Sequence, residues 1–323
     1  MKLHFYIPEH HLPSKERRAE WMNGRIPPLL EGGKSATVQA WIFQSWAELG
    51  ASVDTALVTE LPSSGAIITL SNLLPEGFRA SSGQFVVAVA ADFLPHPGAQ
   101  LQIVQNAVHA QRLRGSVFMP HWPQPNLIPR DPSRKDRFER AAFFGDPSNL
   151  LPELADPDFA SRLQNETGVR LEMRGADQWH DYSDVDLVLA IRDFSRARHL
   201  QKPATKLYNA WLAGVPLIGG SDSAYASEAQ AGSDYLAAHS AKECIRLVKQ
   251  LRDNLALRNS IVKSGQKKSA TRSRDAVRKM WGNFCSVELP ERIQQWEQKN
   301  RLEKRLFWAT QKSLLFIDRK FRS

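Results

Sequence analysis

Apolar positions follow two different periods along the chain. Continuous apolar runs of strand length cover residues 3–7, 53–59, 66–70, 85–90 and 117–119, and the pattern restarts at 141–144, 169–173, 186–191 and 215–218. Between them the spacing turns helical. Val38, Trp41, Ile42, Trp46 and Leu49 share one face over residues 37–49, with Gly50 as the stop. Residues 159–167, 206–213 and 241–251 repeat that pattern. Unbroken β-branched runs suit parallel sheets covered on both faces. Alternating strand and helix in two successive halves predicts an α/β chain of two doubly wound domains facing a cleft.

The halves are separated by Pro120, Pro123, Pro125, Pro129 and Pro132, a stiff connector that excludes a long helix. The expected division is 1–137 for the first domain, 138–285 for the second, and 286–323 for a helical tail. No apolar run reaches the roughly 18 residues of a spanning helix. The run at 3–7 is too short for a signal-peptide core, so a cytoplasmic protein is expected.

Two cysteines, Cys244 and Cys285, give no CxxC pair and no zinc or dithiol reading. The formal net charge of +9 favours anionic partners. The excess gathers at 263–278 and 299–322. The latter stretch interleaves Leu302, Leu306, Phe307, Leu314, Leu315, Ile317 and Phe321 with basic residues. As a helix it would be amphipathic, fitted either to peripheral membrane contact or to packing on the body, and packing is the favoured reading. No helix-turn-helix, RNA-binding or zinc signature supports nucleic acid as a partner.

The segment from Lys202 to Gly220 carries the clearest chemistry. Thr205 or a neighbour should cap a helix whose first turn holds Lys206 and which ends at Gly214, before Val215-Pro216 opens a strand. Free N–H groups and the positive dipole end make the helix start an anion site. A lysine there opposes the dipole, which makes sense beside a diphosphate. Here Asn209-Ala-Trp-Leu-Ala-Gly-Val-Pro216 resembles the donor-helix turn, A-x-G-x-P, of bacterial group 1-like GT-B glycosyltransferases. The lead-in from Trp179 to Ala190 and the loop from Pro27 to Gly33 resemble other parts of that family.

The resemblance implies two Rossmann-like domains with C-terminal helices. It further implies transfer, by a hexosyltransferase-like enzyme, of a sugar from a nucleotide-diphosphate sugar to an unknown acceptor, for which a glycan and a lipid-linked molecule are the candidates. Donor-binding candidates are Gly32, Gly33, Arg192, Thr205, Lys206, Asn209 and Glu228. The family's paired glutamates are replaced by Gln201 and Asn209, and its Gly-Arg by Gly145-Asp146, so Arg192 is the candidate replacement cation. Asp184-Val185-Asp186 formally fits a metal-binding DxD but begins a strand. No cofactor and no metal are therefore expected, with cations and a helix N-terminus stabilising the leaving group.

An inverting reaction would need a base, for which Glu9-His10-His11 after the first strand and Asp92 and His96 after another are the candidates; His109 and His121 are further histidines near the expected cleft. Trp122 and Trp179, beside loops, are candidates for stacking on sugar or base. Gly32-Gly33-Lys34-Ser35 is not a phosphate-binding P-loop, because Pro28 stands where its first glycine belongs. The competing classes are a non-catalytic nucleotide-sugar or nucleic-acid binder and a sugar-nucleotide epimerase of the same fold.

Overall fold

The computed structural model describes residues 2–22, 36–195 and 198–321, without the side chains of 51, 312 and 314–321. It contains two parallel sheets. The first has the order β2-β1-β3-β4-β5-β6 and the second β11-β10-β9-β7-β8. Their strands are β1 Leu3–Tyr6, β2 Thr55–Val58, β3 Gly65–Leu70, β4 Gln84–Val89, β5 Leu101–Val104 and β6 Ser116–Phe118, then β7 Arg140–Phe144, β8 Arg170–Arg174, β9 Leu187–Ala190, β10 Leu217–Gly219 and β11 Leu236–Ala237. Both sheets carry helices, so the class is α/β as expected. Continuous apolar runs became central strands: β3 and β4 pair in parallel over their full lengths and are almost entirely buried.

Strand β5 was not foreseen, because Gln100 and Gln102 interrupt its apolar pattern. Both are buried. Gln100 accepts from Val86 N at 2.8 Å and donates to Gln84 O at 2.8 Å, while Gln102 donates to His96 O at 2.8 Å. Their amides satisfy backbone groups next to the sheet, which is what permits a polar side chain there.

The helix Arg274–Asn283 returns to the first domain. Val277, Trp281, Phe284, Cys285, Leu289 and Ile293 complete the core built on Phe5, Trp41 and Ile68. Glu48, at the rim of that core, takes Arg274 at 2.6 Å and Arg278 at 2.8 Å. The connector is bound to the second domain: Arg130 and Arg134 both reach Asp186.

The described part of the last helix, Arg301–Phe321, also packs on the first domain. Trp308 lies against the cluster of Ile67, Leu74 and Val86, with Arg79 over its ring and Trp296 at its edge. Among the described residues no helix is long and apolar enough to cross a membrane. Truncation after Asn300 should lower the melting temperature by several degrees and leave binding to anionic vesicles unchanged. Unaltered melting with lost vesicle binding would show that packing is not the tail's role.

Candidate active site

The loops after β4, β6, β7, β8 and β9 converge, with Ala36, Thr37 and Ala40 of a first-domain helix and with the start of a second-domain helix, on a cavity of about 640 Å³ between the domains. Carboxyl ends of parallel strands are where the chain can vary without disturbing the sheet. From the first domain come Asp92, after β4, and His121, after β6. Asp92 follows Ala91, which is buried in the left-handed region at φ 46°. A non-glycine residue holds that conformation only where its surroundings fix it. His121 Nδ1 donates to the carbonyl of Trp122 at 2.7 Å, since a carbonyl can only accept, and this leaves Nε2 as the unprotonated nitrogen. Burial pushes the imidazole pKa down, favouring the neutral form.

From the second domain come Gly145 after β7, Arg192 after β9, Lys202 in the loop before the Thr205–Ala213 helix, and Thr205, Lys206 and Asn209 on that helix. The residue before the helix is Ala204, which provides no side-chain cap. Thr205 is inside the first turn and does not cap it, and its hydroxyl is buried without a partner. The helix start thus faces the cavity uncapped. Lys206 Nζ lies 5.0 Å from the centre of the Phe143 ring. A Cβ added to Gly145, whose φ is +144°, would strain the backbone and would stand 3.2 Å from that nitrogen, close enough to push the lysine end by a few tenths of an ångström. Desolvation, then the charges of Arg192 and Lys202, push the Lys206 pKa down to about 7. Lys206 is half-buried and lines the cavity together with Arg192 and Lys202, so three cations gather there.

Arg192 is held from behind by an ion pair with the buried Asp222, and Lys202 pairs with Asp92 at 3.2 Å. Asp146, in place of the expected arginine, accepts from Ser148 N and Oγ at the start of a short turn. Asn209 Oδ1 accepts from Gln124 N at 2.9 Å, tying the helix to the connector.

The sequence candidates divide. Asp92, Arg192, Thr205, Lys206 and Asn209 share the cavity; His96 and Glu228 do not line it. His96 instead pins its own loop, taking Gly98 N on Nδ1 at 3.0 Å and donating from Nε2 to Pro75 O at 3.3 Å. Glu228 is buried against Arg272 at 2.6 Å. Trp122 is a core residue bonded to Ser45 Oγ at 2.9 Å, whereas Trp179 does line the cavity. Gly32 and Gly33 lie outside the described residues. Lys202 was not singled out beforehand; the sign was a cation placed just before an uncapped helix. Asp184 and Asp186, the formal DxD, are each paired with two arginines: Arg140 and Arg174, and Arg130 and Arg134.

No protein-family model and no curated protein sequence matches the chain. Solved structures do. Anabaena HepE, crystallised with UDP and glucose, aligns at TM-score 0.56 and 13% identity over 88% of this chain and 99% of that one. A Thermosynechococcus elongatus sucrose-phosphate synthase aligns at 0.52 and 11% identity over 90% and 99%. The pneumococcal O-GlcNAc transferase GtfA, with UDP and GlcNAc, aligns at 0.51 and 11% identity over 77% and 60%. The chain therefore has the two-domain GT-B fold of these glycosyltransferases.

Proposed function

We propose that the chain is a glycosyltransferase using a nucleotide-diphosphate sugar, with the diphosphate held by Arg192, Lys202, Lys206 and the start of the Thr205–Ala213 helix. The observation that carries this is the cluster itself: Arg192, Lys202 and Lys206 line one cavity at a helix start that no side chain caps, a combination suited to an anion. Cleaving a sugar–phosphate bond leaves charge on the diphosphate, and donors already fixed in place stabilise that charge without reorganising. HepE and GtfA, each crystallised with UDP and a sugar, support the reading from the side of the fold. His121 Nε2 and Asp92 face the same cavity from the other domain, where sugar and acceptor hydroxyls would lie.

Nucleoside diphosphates should raise the melting temperature, and a panel of them identifies the base. At one hundred times Kd the gain is about 2.7 kcal/mol, easily read as a thermal shift. A panel without any shift would overturn the reading.

We further propose that the transfer needs no metal. The support is the chemistry of the available donors: among the described residues no group of three histidine, cysteine or carboxylate side chains could hold an ion, and both carboxylates of the formal DxD are neutralised by arginines. Turnover should persist in EDTA. Activity that vanished on chelation and returned with manganese would refute this.

A further inference from the structure

The cavity's cations are matched unequally. Arg192 is paired with Asp222 inside the second domain, and both side chains are almost fully buried, at 10% and 3% exposure. Lys206 has no carboxylate in direct contact among the described residues. Lys202 alone reaches across the cleft, to Asp92 of the first domain. That pair is open to water, with side chains 24% and 43% exposed. Around it run further bonds, within the first domain and across the cleft. Gln105 Nε2 donates to Asp92 Oδ1 at 3.3 Å and to the carbonyl of Gln201, beside Lys202, at 2.7 Å; Asn106 Nδ2 donates to Ser223 Oγ at 2.9 Å. The left-handed Ala91 immediately before Asp92 fixes where that carboxylate enters the cavity.

We infer that Asp92 is an internal stand-in for the donor's diphosphate: it holds Lys202 across the cleft until the diphosphate takes that lysine, and the exchange releases the carboxylate toward the sugar side of the cavity. The inference rests on the diphosphate site proposed above. A solvent-open ion pair is weak, because water already screens both charges and two side chains must be ordered to make it. A diphosphate carries more charge and meets Arg192, Lys206 and free helix N–H groups at the same time, so it wins the lysine. Arg192 cannot be exchanged in this way, since parting it from Asp222 would strand a buried carboxylate. The arrangement makes Lys202 the moving cation and Asp92 a positioning residue whose carboxylate becomes available only once donor is bound.

Inorganic pyrophosphate, which needs no knowledge of the base, is the probe. Its affinity is measured by calorimetry without divalent metal for the full chain, Asp92→Asn, Lys202→Met and the double variant. Asp92→Asn should bind pyrophosphate about threefold to fivefold more tightly, the worth of an exposed pair. Lys202→Met should bind it about tenfold more weakly. In the Lys202→Met background the Asp92 substitution should change affinity by less than about half of its effect alone. Equal tightening in both backgrounds would show a general charge effect and overturn the exchange, as would no tightening at all. Binding by none of the four proteins would remove the diphosphate site itself, and with it both proposals.

Discussion

Lys206→Met should do two opposite things at once: weaken pyrophosphate-bearing ligands by about tenfold or more, the value of a charge-assisted contact, and raise the melting temperature of the ligand-free protein near pH 7. The second effect follows from the pKa. In the folded chain Lys206 is pushed down to about 7 from an ordinary 10.5, so between these values the unfolded state binds the extra proton. Stability then rises with pH across that window. The cost of burying the lysine is complete below pH 7 and fades as pH climbs through 10.5. At roughly 1.4 kcal/mol per unit, and reduced for the side chain's partial access to solvent, it amounts to about 2 kcal/mol, or about 5 °C. Melting curves of both proteins at pH 7 and pH 10 should therefore diverge at the lower pH and converge at the higher. A variant less stable at pH 7, or one that binds pyrophosphate as well as the parent, would contradict the role given to this lysine. Binding should also draw protons from solution near pH 8, visible as a buffer-dependent heat.

Asp186→Ala should destabilise the fold by about 3–5 kcal/mol, the range for breaking a buried pair. The carboxylate is fully buried and accepts from Arg130, Arg134 and the backbone N–H groups of Glu139 and Arg140. Its removal would leave Arg134 without its carboxylate and Arg130 with only the Arg137 carbonyl, and would loosen the connector from β9. Burial alone would raise the Asp186 pKa, but the Arg134 hydrogen bond, the Glu139 N–H and Arg130 outweigh it and hold the value below the ordinary 3.8. Such a group contributes stability above its unfolded pKa and loses it as pH falls through the folded one. Asp186→Asn should accordingly flatten the acid limb of a pH–stability curve below about pH 4. Activity lost in either variant should track the folded fraction, and manganese should not restore it. Full stability with metal-dependent rescue would return this residue to a metal-binding role.

The main strands and the helix at the cleft were legible because each depends on local pattern: apolar runs, an anion-ready helix start, a glycine stop at Gly214. What was not legible depends on partners far along the chain. Gln100 and Gln102 read as polar breaks because a sequence does not show which backbone groups their amides will satisfy. Trp122 read as a stacking surface because Ser45, its hydrogen-bond partner, lies 77 positions earlier. Glu228 looked like a hydroxyl binder until Arg272, 44 positions later, was seen to hold it. Lys202 could be read only as a loop cation, since its significance comes from Asp92 across the cleft. Asn209 stands where a family glutamate is expected, but half of its amide serves the connector, a constraint that no single-residue comparison reveals.

The return of residues 277–293 to the first domain bears on how the chain is made. Emerging from a ribosome, β1 to β6 are present long before Trp281 and Phe284, so their core waits with its Phe5 and Trp41 side uncovered. The second domain, whose strands and principal core residues lie between 138 and 261, has no such delay and can close first. The first domain's apolar core is thus closed only by residues made after the whole of the second domain's sheet.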